Sequence, residues 1–235
     1  MHKIAIPSYA IERALARRGR LHPFEDLDPA RTALVVVDLQ NGFMVPGQPA
    51  EIAQAREIVP AVNRLARATR AAGGTVVWIQ NTITPESEQS WSVWLGNFAD
   101  DHWGPRMRQA FTPGDFGHAL YPDLNVLPGD LTVRKTRFSA LVQGASDLDA
   151  ILRGRGIDTL IIVGTATNVC CESTARDAMQ MNYQVIFVAD GTAAVTDAEH
   201  LATLSSMTAF FADVMPTDMV LSVIAKATRR NASAA

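Results

Sequence analysis

The sequence is poor in cysteine and has no cluster of histidines. Its two cysteines, Cys170 and Cys171, are adjacent; they are too few for a disulfide framework, and a bridge between neighbours would be strained. Free thiols in a reducing cytoplasm are therefore expected. The five histidines are scattered, without the close spacing of metal ligands. We expect no metal site and no cofactor.

Long apolar runs and basic blocks are absent as well. No apolar stretch approaches the roughly 18–20 residues that span a bilayer, and residues 1–20 lack the continuous apolar core of a secretory signal. The formal net charge of −3 comes without a block rich in lysine and arginine, so it offers no electrostatic footprint for nucleic acid or a membrane surface. We expect a cytoplasmic protein whose partner is a small molecule, neither nucleic acid nor a membrane.

Short runs rich in β-branched residues alternate with helical patterns along the chain. Most of the runs are apolar on both faces, as in a parallel sheet that helices cover on each side. The alternation predicts a single α/β domain with a doubly wound, Rossmann-like, mostly parallel six-stranded sheet and helices on both faces. Strands are predicted at 33–38, 75–80, 130–135, 159–164, 184–190 and 210–215, and helices from 59 to Gly73 and at 146–155, 170–182, 196–208 and 217–228.

The expected domain covers residues 29–228, with an N-terminal arm at 1–28 and a C-terminal tail at 229–235. The arm either packs on a neighbouring subunit or forms a helix on the chain's own surface. No internal repeat or low-complexity linker divides the chain.

The longest region without a predicted strand or helix is 81–130. It contains three of the four tryptophans, Trp91, Trp94 and Trp103. Loops of this length in a compact domain are usually functional or poorly ordered, and tryptophans argue against disorder. The rings either form an aromatic wall of a substrate pocket or pack the loop or a subunit contact.

Reactive side chains follow three predicted strands, at the edge where open α/β sheets form their sites. Asp38 and Lys135 each close a strand, and Cys170 follows a third strand where a helix begins. With Asn168 as N-cap, Cys170 would lie in the first helical turn, where free N–H groups and a nearby ammonium stabilise a thiolate. A carboxylate can take the thiol proton and return it to a leaving amine. The three residues predict a nucleophilic site, in which Asp190, at the end of a later strand, is the alternative to Asp38.

Three segments carry a family resemblance: VVVDLQNGFMVPG, VRKTRFSAL and GTATNVCCESTARDA. Together they resemble the cysteine amidohydrolase branch of the isochorismatase-like superfamily, from about residue 31 to residue 220. The third segment is highly specific for that branch. Within the branch the sequence is most similar to the ureidoacrylate amidohydrolase and N-carbamoylsarcosine amidase types. The resemblance also implies a homodimer or homotetramer.

The resemblance implies an Asp-Lys-Cys triad. Asp38 falls at the acid/base, Lys135 at the lysine and Cys170 at the nucleophile. Cys171 falls where the family usually has valine, so it is interpreted as a small packing residue.

The resemblance further implies a cis peptide between Thr165 and Ala166, and an oxyanion hole formed by the N–H groups of Ala166 and Cys170. Arg137 either holds a substrate carboxylate or supports the strand end beside it. The residues expected to contact the substrate are Gln40, Phe43, Asn81, Trp91, Trp94, Phe138 and Asn168.

The cysteine at the nucleophile position favours amide chemistry over the ether cleavage of true isochorismatases. A nicotinamidase is disfavoured because no histidines follow the first strand at metal-ligand spacing. The predicted function is hydrolysis of a C–N bond in a small linear amide or N-carbamoyl (ureido) compound, through a thioester, with release of ammonia or an amine. The alternatives are an isochorismatase-type ether hydrolase and a non-catalytic small-molecule binding or thiol-sensing protein.

Overall fold

The computed structural model describes residues 1–234. Within these residues six strands pair in one parallel sheet, in the order β3-β2-β1-β4-β5-β6. This is the doubly wound order of a Rossmann-like fold, and it confirms the predicted fold class. The strands are β1 (Thr32–Val37), β2 (Thr75–Asn81), β3 (Leu131–Lys135), β4 (Thr159–Thr165), β5 (Gln184–Ala193) and β6 (Asp213–Met215).

Helices cover both faces of this sheet. Successive side chains of a strand point to opposite faces, so β1 contributes Leu34 and Val36 to one apolar core and Val35 and Val37 to the other. The helices are α1 (Ser8–Arg18), α2 (Asn41–Met44), α3 (Val59–Ala71), α4 (Pro85–Ser90), α5 (Ser92–Asn97), α6 (Trp103–Phe111), α7 (Leu148–Gly154), α8 (Glu172–Gln180), α9 (Asp197–Ser206) and α10 (Thr217–Ala234). Helices α3 and α10 pack in the first core, and α7 and α8 in the second.

The region 81–130 is not irregular, in contrast to the prediction, because α4, α5 and α6 form within it. The start of α4 has a clear local cause. Pro85 occupies its first turn, and Thr84 and Ser87 form a capping box in which each side chain accepts a hydrogen bond from the other's backbone N–H. These helices are too short for their sequence periodicity to be recognised, and they are held by packing over the sheet edge.

Two further boundaries differ from the prediction. The strand predicted at 210–215 is confined to β6, because Met207–Phe211 forms a π-helical turn that continues α9. Helix α10 extends through most of the predicted tail at 229–235, and residue 235 of that tail lies outside the described residues. Within residues 1–234, no helix combines the length and apolar character needed to cross a membrane.

The N-terminal residues lie against the chain's own domain. Helix α1 buries Ala10 and Ala14 and contacts the turn Met207–Phe211. Ahead of it, the ring of His2 stacks on that of His200, with 4.3 Å between the ring centroids. The segment 1–28 is thereby attached to the side of the sheet that carries α9.

Candidate active site

The carboxyl ends of β1 and β4 form the crevice where an open α/β sheet places its site. From β1 the chain continues through β2 to β3 at one edge of the sheet, and from β4 it continues through β5 to β6 at the other edge. The connections that leave β1 and β4 therefore run in opposite directions, and a crevice opens between them above the sheet. Asp38 directly follows β1, and a π-helical turn, Thr167–Cys171, follows β4. Such turns occur frequently at functional sites.

The structure brings Asp38, Lys135 and Cys170 together. The Nζ atom of Lys135 lies 2.7 Å from Oδ2 of Asp38, and both side chains are fully buried. The same Nζ atom lies 3.4 Å from Sγ of Cys170. It also donates to the carbonyl oxygen of Arg137 at 3.0 Å and to Oδ1 of Asn81 at 3.4 Å. The ammonium group is therefore surrounded by acceptors and fixed between the carboxylate and the thiol.

Asp38 adopts an uncommon backbone conformation at the end of β1. Its φ is 53°, in the left-handed region that aspartate tolerates better than most residues. Its N–H donates to the carbonyl of Ile79 at 3.2 Å, and its own carbonyl accepts from the N–H of Gln40 at 2.8 Å. The strand pairing thus continues to Asp38 and the chain then turns sharply.

Gly164 permits the close approach of β4 to β1 beside this turn. Its φ is +117°, and a Cβ atom at this position would lie 2.1 Å from the carbonyl oxygen of Val37. No side chain larger than hydrogen fits without moving one of the two strands. Gly164 therefore lets β4 lie close against β1 directly before the two cysteines.

The turn after β4 departs from the predicted helix start. The peptide bond between Thr165 and Ala166 is cis. Ala166, not Asn168, is the residue that precedes the helical backbone, and no side chain caps this end. Asn168 lies inside the turn because the helical conformation begins at Thr167, two residues earlier than an Asn168 cap requires, so its predicted capping role is wrong.

The two adjacent thiols have different surroundings. Cys170 borders a cavity and lies within reach of Lys135. Cys171 is fully buried in the core, where its Sγ lies 4.0 Å from the carbonyl oxygen of Val163. Only Cys170 can meet a molecule in the cavity, in agreement with the interpretation of Cys171 as a packing residue.

Burial governs the protonation of the three groups. It raises the pKa of the Asp38 carboxyl group, against the opposing effect of the Lys135 ammonium. It also raises the pKa of the Cys170 thiol to about 12, where Lys135 again opposes the shift and the charge of Asp38 adds to it. Burial alone would lower the pKa of Lys135, but the charge of Asp38 and the hydrogen bonds to Asp38 and Cys170 raise it.

The resting thiol is therefore protonated, in contrast to the expectation that the helix end and the ammonium would favour a thiolate. A buried site with one positive charge tolerates one negative charge, and Asp38 already provides it. A proton that moves from Cys170 to Asp38 leaves that balance unchanged. The geometry thus suits proton transfer during attack on a substrate, with Lys135 charged throughout.

A cavity of about 510 Å³ leads to Cys170. Five predicted substrate contacts line it: Phe43, Asn81, Trp91, Trp94 and Phe138. The other two, Gln40 and Asn168, are not among its lining residues. Gln40 is fully buried, and its side chain bonds the backbone N–H and carbonyl of Asn81 at 2.8 and 3.1 Å and the carbonyl of His118 at 2.9 Å. It fastens the end of β2 and does not border the cavity, so this arrangement gives its predicted contact with the substrate no support.

Further apolar residues of the wall were not predicted from the sequence. They come from the loop before α3, from the segment and helices between β2 and β3, and from the segment after β5: Ile52, Ile83, Leu95, Met107 and Val195. Trp103, for which the sequence left an aromatic wall and a packing role open, lines the cavity as well. The indole N–H of Trp103 donates to the carbonyl of Pro49 at 2.8 Å, which joins α6 to the loop at the other side of the cavity. In the sequence, the sign that Trp103 could line a pocket was its position with two other tryptophans in the region 81–130.

Asp190 and Arg137 have other partners. One carboxylate oxygen of Asp190 accepts from the N–H and the hydroxyl of Thr217, at 2.6 and 2.8 Å, so it holds the start of α10 and does not replace Asp38. The guanidinium of Arg137 donates to the carbonyls of Thr136 and Ser90, at 2.8 and 3.2 Å. It ties the end of β3 to α4, which is the supporting role that the sequence left open.

The site offers few ligands for a metal ion. Within the cluster of Asp38, Lys135 and Cys170 the potential ligands are the carboxylate and the thiol, and the carboxylate is already paired with an ammonium. Among residues 1–234, no group of three or more histidine, cysteine, aspartate or glutamate side chains is arranged to hold a metal. The expectation of a reaction without metal or cofactor stays a prediction.

Comparison with known proteins gives consistent matches. The model of the Isochorismatase domain matches residues 32–219. A ureidoacrylate amidohydrolase, RutB of Methylobacterium radiotolerans, is 34% identical over 86% of this chain and 83% of that protein. The crystal structure of a cysteine hydrolase from Pseudomonas syringae pv. phaseolicola superposes with a TM-score of 0.76 at 28% identity, over 88% of this chain and 98% of the other. N-carbamoylsarcosine amidase from Thermoplasma acidophilum gives a TM-score of 0.63 at 27% identity, over 80% and 97% of the two chains.

Proposed function

This chain belongs to the isochorismatase family of hydrolases, and on that premise we propose that it cleaves a C–N bond of a linear amide or N-carbamoyl (ureido) compound through a covalent bond to Cys170. The observation that carries the proposal is the buried contact of three groups beside a cavity. Lys135 Nζ lies 2.7 Å from Asp38 and 3.4 Å from the sulfur of Cys170. The relatives named ureidoacrylate amidohydrolase and N-carbamoylsarcosine amidase support amide chemistry.

Acylation begins with attack of the Cys170 sulfur on the substrate carbonyl carbon. The thiol proton moves to the carboxylate of Asp38 as the S–C bond forms, because a free thiolate beside an ionised Asp38 would add a second buried negative charge. Asp38 then gives this proton to the leaving nitrogen. The C–N bond breaks, ammonia or an amine departs, and a thioester (a thiocarbamate from a ureido substrate) remains on Cys170.

The negative charge on the carbonyl oxygen during attack requires hydrogen-bond donors. We assign this role to the backbone N–H groups of Ala166, which directly precedes the turn Thr167–Cys171, and of Cys170 within it; both residues line the cavity. The carbonyl of Ala166 accepts from the N–H groups of Val169 and Cys171, at 3.2 and 3.1 Å, and this fixes the turn on both sides of Cys170. Each donor of such a hole typically contributes roughly 3–4 kcal/mol to the transition state.

Deacylation uses the same groups in reverse. Asp38, ionised again after the first step, takes a proton from water while the water oxygen attacks the thioester carbon. The C–S bond breaks and Asp38 returns the proton to the Cys170 sulfur, so the resting state with one carboxylate, one ammonium and one thiol is restored. Lys135 keeps its proton throughout and stabilises the negative charge wherever it lies, on Asp38 or on Cys170.

Ammonia release from a panel of primary amides and ureido acids tests this proposal. We expect Cys170→Ala to lose activity on the order of 10⁴-fold or more, as removal of a nucleophile does in comparable sites. The matched control is Cys171→Ala, which removes the neighbouring buried thiol and should change kcat/KM by less than about threefold. Activity that persists in Cys170→Ala would contradict the proposal and favour an ether hydrolase, whose chemistry needs no thiol.

A further inference from the structure

Most of the cavity wall is apolar, whereas polar groups lie beside Cys170. We propose that the substrate carries an uncharged apolar group, best an aromatic ring, next to the scissile amide or ureido group, and that anionic substrates are disfavoured. This inference rests on the proposed function of the same site and names its substrate class.

Among the residues that the structure describes, none that lines the cavity offers a positive charge to a substrate carboxylate. Apart from Cys170, the ionisable side chains among its lining residues are two glutamates, Glu51 and Glu88. Each is paired with an arginine: Glu51 with Arg56 at 3.0 Å, and Glu88 with Arg108 at 2.8 Å. The hydrogen bond from the N–H of Gly47 and the pairing with Arg56 lower the pKa of Glu51, so its carboxylate stays ionised.

Lys135, which contacts Cys170, and Arg137, which contacts Trp91, are both already engaged. Lys135 is fully buried against Asp38 and serves the catalytic charge balance. The guanidinium of Arg137 donates to the backbone of Thr136 and Ser90, lies 5.2 Å from the ring centre of Trp91 and does not line the cavity. A carboxylate that entered this cavity would lose its water without gaining a charged partner, which is costly for a buried ion.

One part of the cavity wall is a cluster of aromatic rings. The ring of Phe138 meets those of Trp91 and Trp94 edge to face, with centroid distances of 4.8 and 5.0 Å. Trp94 also meets Trp103 edge to face at 5.8 Å. All four rings are only half-buried in the described chain and line the cavity. They expose aromatic faces and edges that a ring of the substrate would cover favourably.

Polar groups suited to the amide lie beside Cys170. Asn81 accepts from Lys135 through Oδ1, which orients its amide nitrogen so that its two N–H donors can meet a substrate carbonyl. Ala166 and Cys170 line this part of the cavity. A molecule with a polar amide at one end and an apolar group at the other therefore fits in one orientation, with its carbonyl carbon at the sulfur.

Two matched pairs of compounds test this inference. In the amide pair, 3-phenylpropanamide and succinamate share a two-carbon chain and differ only in phenyl against carboxylate. In the ureido pair, 2-phenylethylurea and 3-ureidopropionate differ in the same way. We expect kcat/KM to be at least about tenfold higher for the phenyl member of each pair, the scale on which apolar pockets discriminate.

Substitution of the wall gives a second readout. Trp94→Ala should lower kcat/KM for the phenyl compounds about 10- to 200-fold, mainly through KM, and change it less than about threefold for the carboxylate compounds. Phe116→Ala is the matched control, because Phe116 is exposed and does not line this cavity.

The outcomes separate the two proposals. Carboxylate compounds that are hydrolysed as well as the phenyl compounds, or better, with activity lost in Cys170→Ala, would overturn the substrate inference and leave the proposed function intact. Ammonia from none of the four compounds, with the wild-type protein folded, would count against the proposed function and the inference alike.

Discussion

Replacing Lys135 with methionine should destabilise the protein strongly, because it removes the one positive charge that balances the buried carboxylate of Asp38. At 2.7 Å and an effective dielectric constant near 20, the attraction between the two charges is about 6 kcal/mol. Desolvation offsets part of this, and breaking a buried pair by removing one partner typically costs about 3–5 kcal/mol. The carbonyl of Arg137 also loses its donor at 3.0 Å. We therefore expect the free energy of unfolding to fall by about 3–5 kcal/mol near pH 7.

The loss should depend on pH in a definite direction. Burial already raises the pKa of Asp38 in the folded protein, and without Lys135 this pKa rises further. A carboxyl group with a raised pKa binds its proton more tightly when folded than when unfolded. The cost in folding stability of the buried, ionised Asp38 carboxylate is therefore absent below the ordinary pKa of aspartate and grows as the pH rises through the folded pKa. The variant Lys135→Met should accordingly lose more stability at pH 8 than at pH 5, relative to the wild type.

A double variant isolates the charge effect from the change of shape. Asp38→Asn combined with Lys135→Met removes both charges, so most of the lost stability should return while the enzyme stays inactive. Urea unfolding followed by tryptophan fluorescence at pH 5 and pH 8 measures all three proteins. The reasoning is refuted if the single variant loses less than about 1 kcal/mol, or if the double variant is as unstable as the single one.

Other substitutions probe the crevice and the N-terminal contact. Gly164→Ala should lower the free energy of unfolding by about 3 kcal/mol or more, measured by urea unfolding, because the new Cβ atom would clash with Val37. Gly114→Ala, also at positive φ but with open space around it, should cost only about 1–2 kcal/mol; equal losses would contradict the clash. Burial and the neighbouring His2 lower the pKa of His200 to about 4. The stability that the neutral His200 ring contributes to the folded protein is therefore present above pH 6.5 and is lost as the pH falls toward 4. The loss amounts to at most about 3 kcal/mol. His200→Asn should flatten the dependence of the free energy of unfolding on pH between 4 and 6.5, and an unchanged dependence would refute this. Light scattering should give two or four times the chain mass of 25.4 kDa; a monomer would contradict this expectation.

The sequence predicts the sheet and the catalytic cluster for one physical reason. Parallel strands bring their carboxyl ends to one edge, so residues that are distant in sequence but close their strands, such as Asp38 and Lys135, must lie at the same edge. Burial on both faces makes those strands apolar and easy to recognise. The position of Cys170 follows in the same way, because it comes shortly after β4, whereas its assignment as nucleophile in place of Cys171 rests on the family resemblance.

The remaining differences arise from packing that no local pattern encodes. Gln40 is adjacent to Asp38's turn in sequence, but its amide bonds the backbone of Asn81, which is visible only after β1 and β2 have paired. Trp103 reaches the cavity only because short helices cross the sheet edge. The raised pKa of Cys170 depends on its desolvation and on the charge of Asp38, and burial of this degree follows from the whole fold.

The most direct test of the account is detection of the covalent intermediate on Cys170. Wild-type protein, Cys170→Ala and Cys171→Ala would each be mixed with 3-phenylpropanamide and with succinamate, quenched in acid within milliseconds to seconds, and analysed by intact mass. The account predicts an added acyl mass, labile to hydroxylamine, on the wild type and on Cys171→Ala but not on Cys170→Ala. An acyl mass that persists in Cys170→Ala and disappears in Cys171→Ala would contradict it.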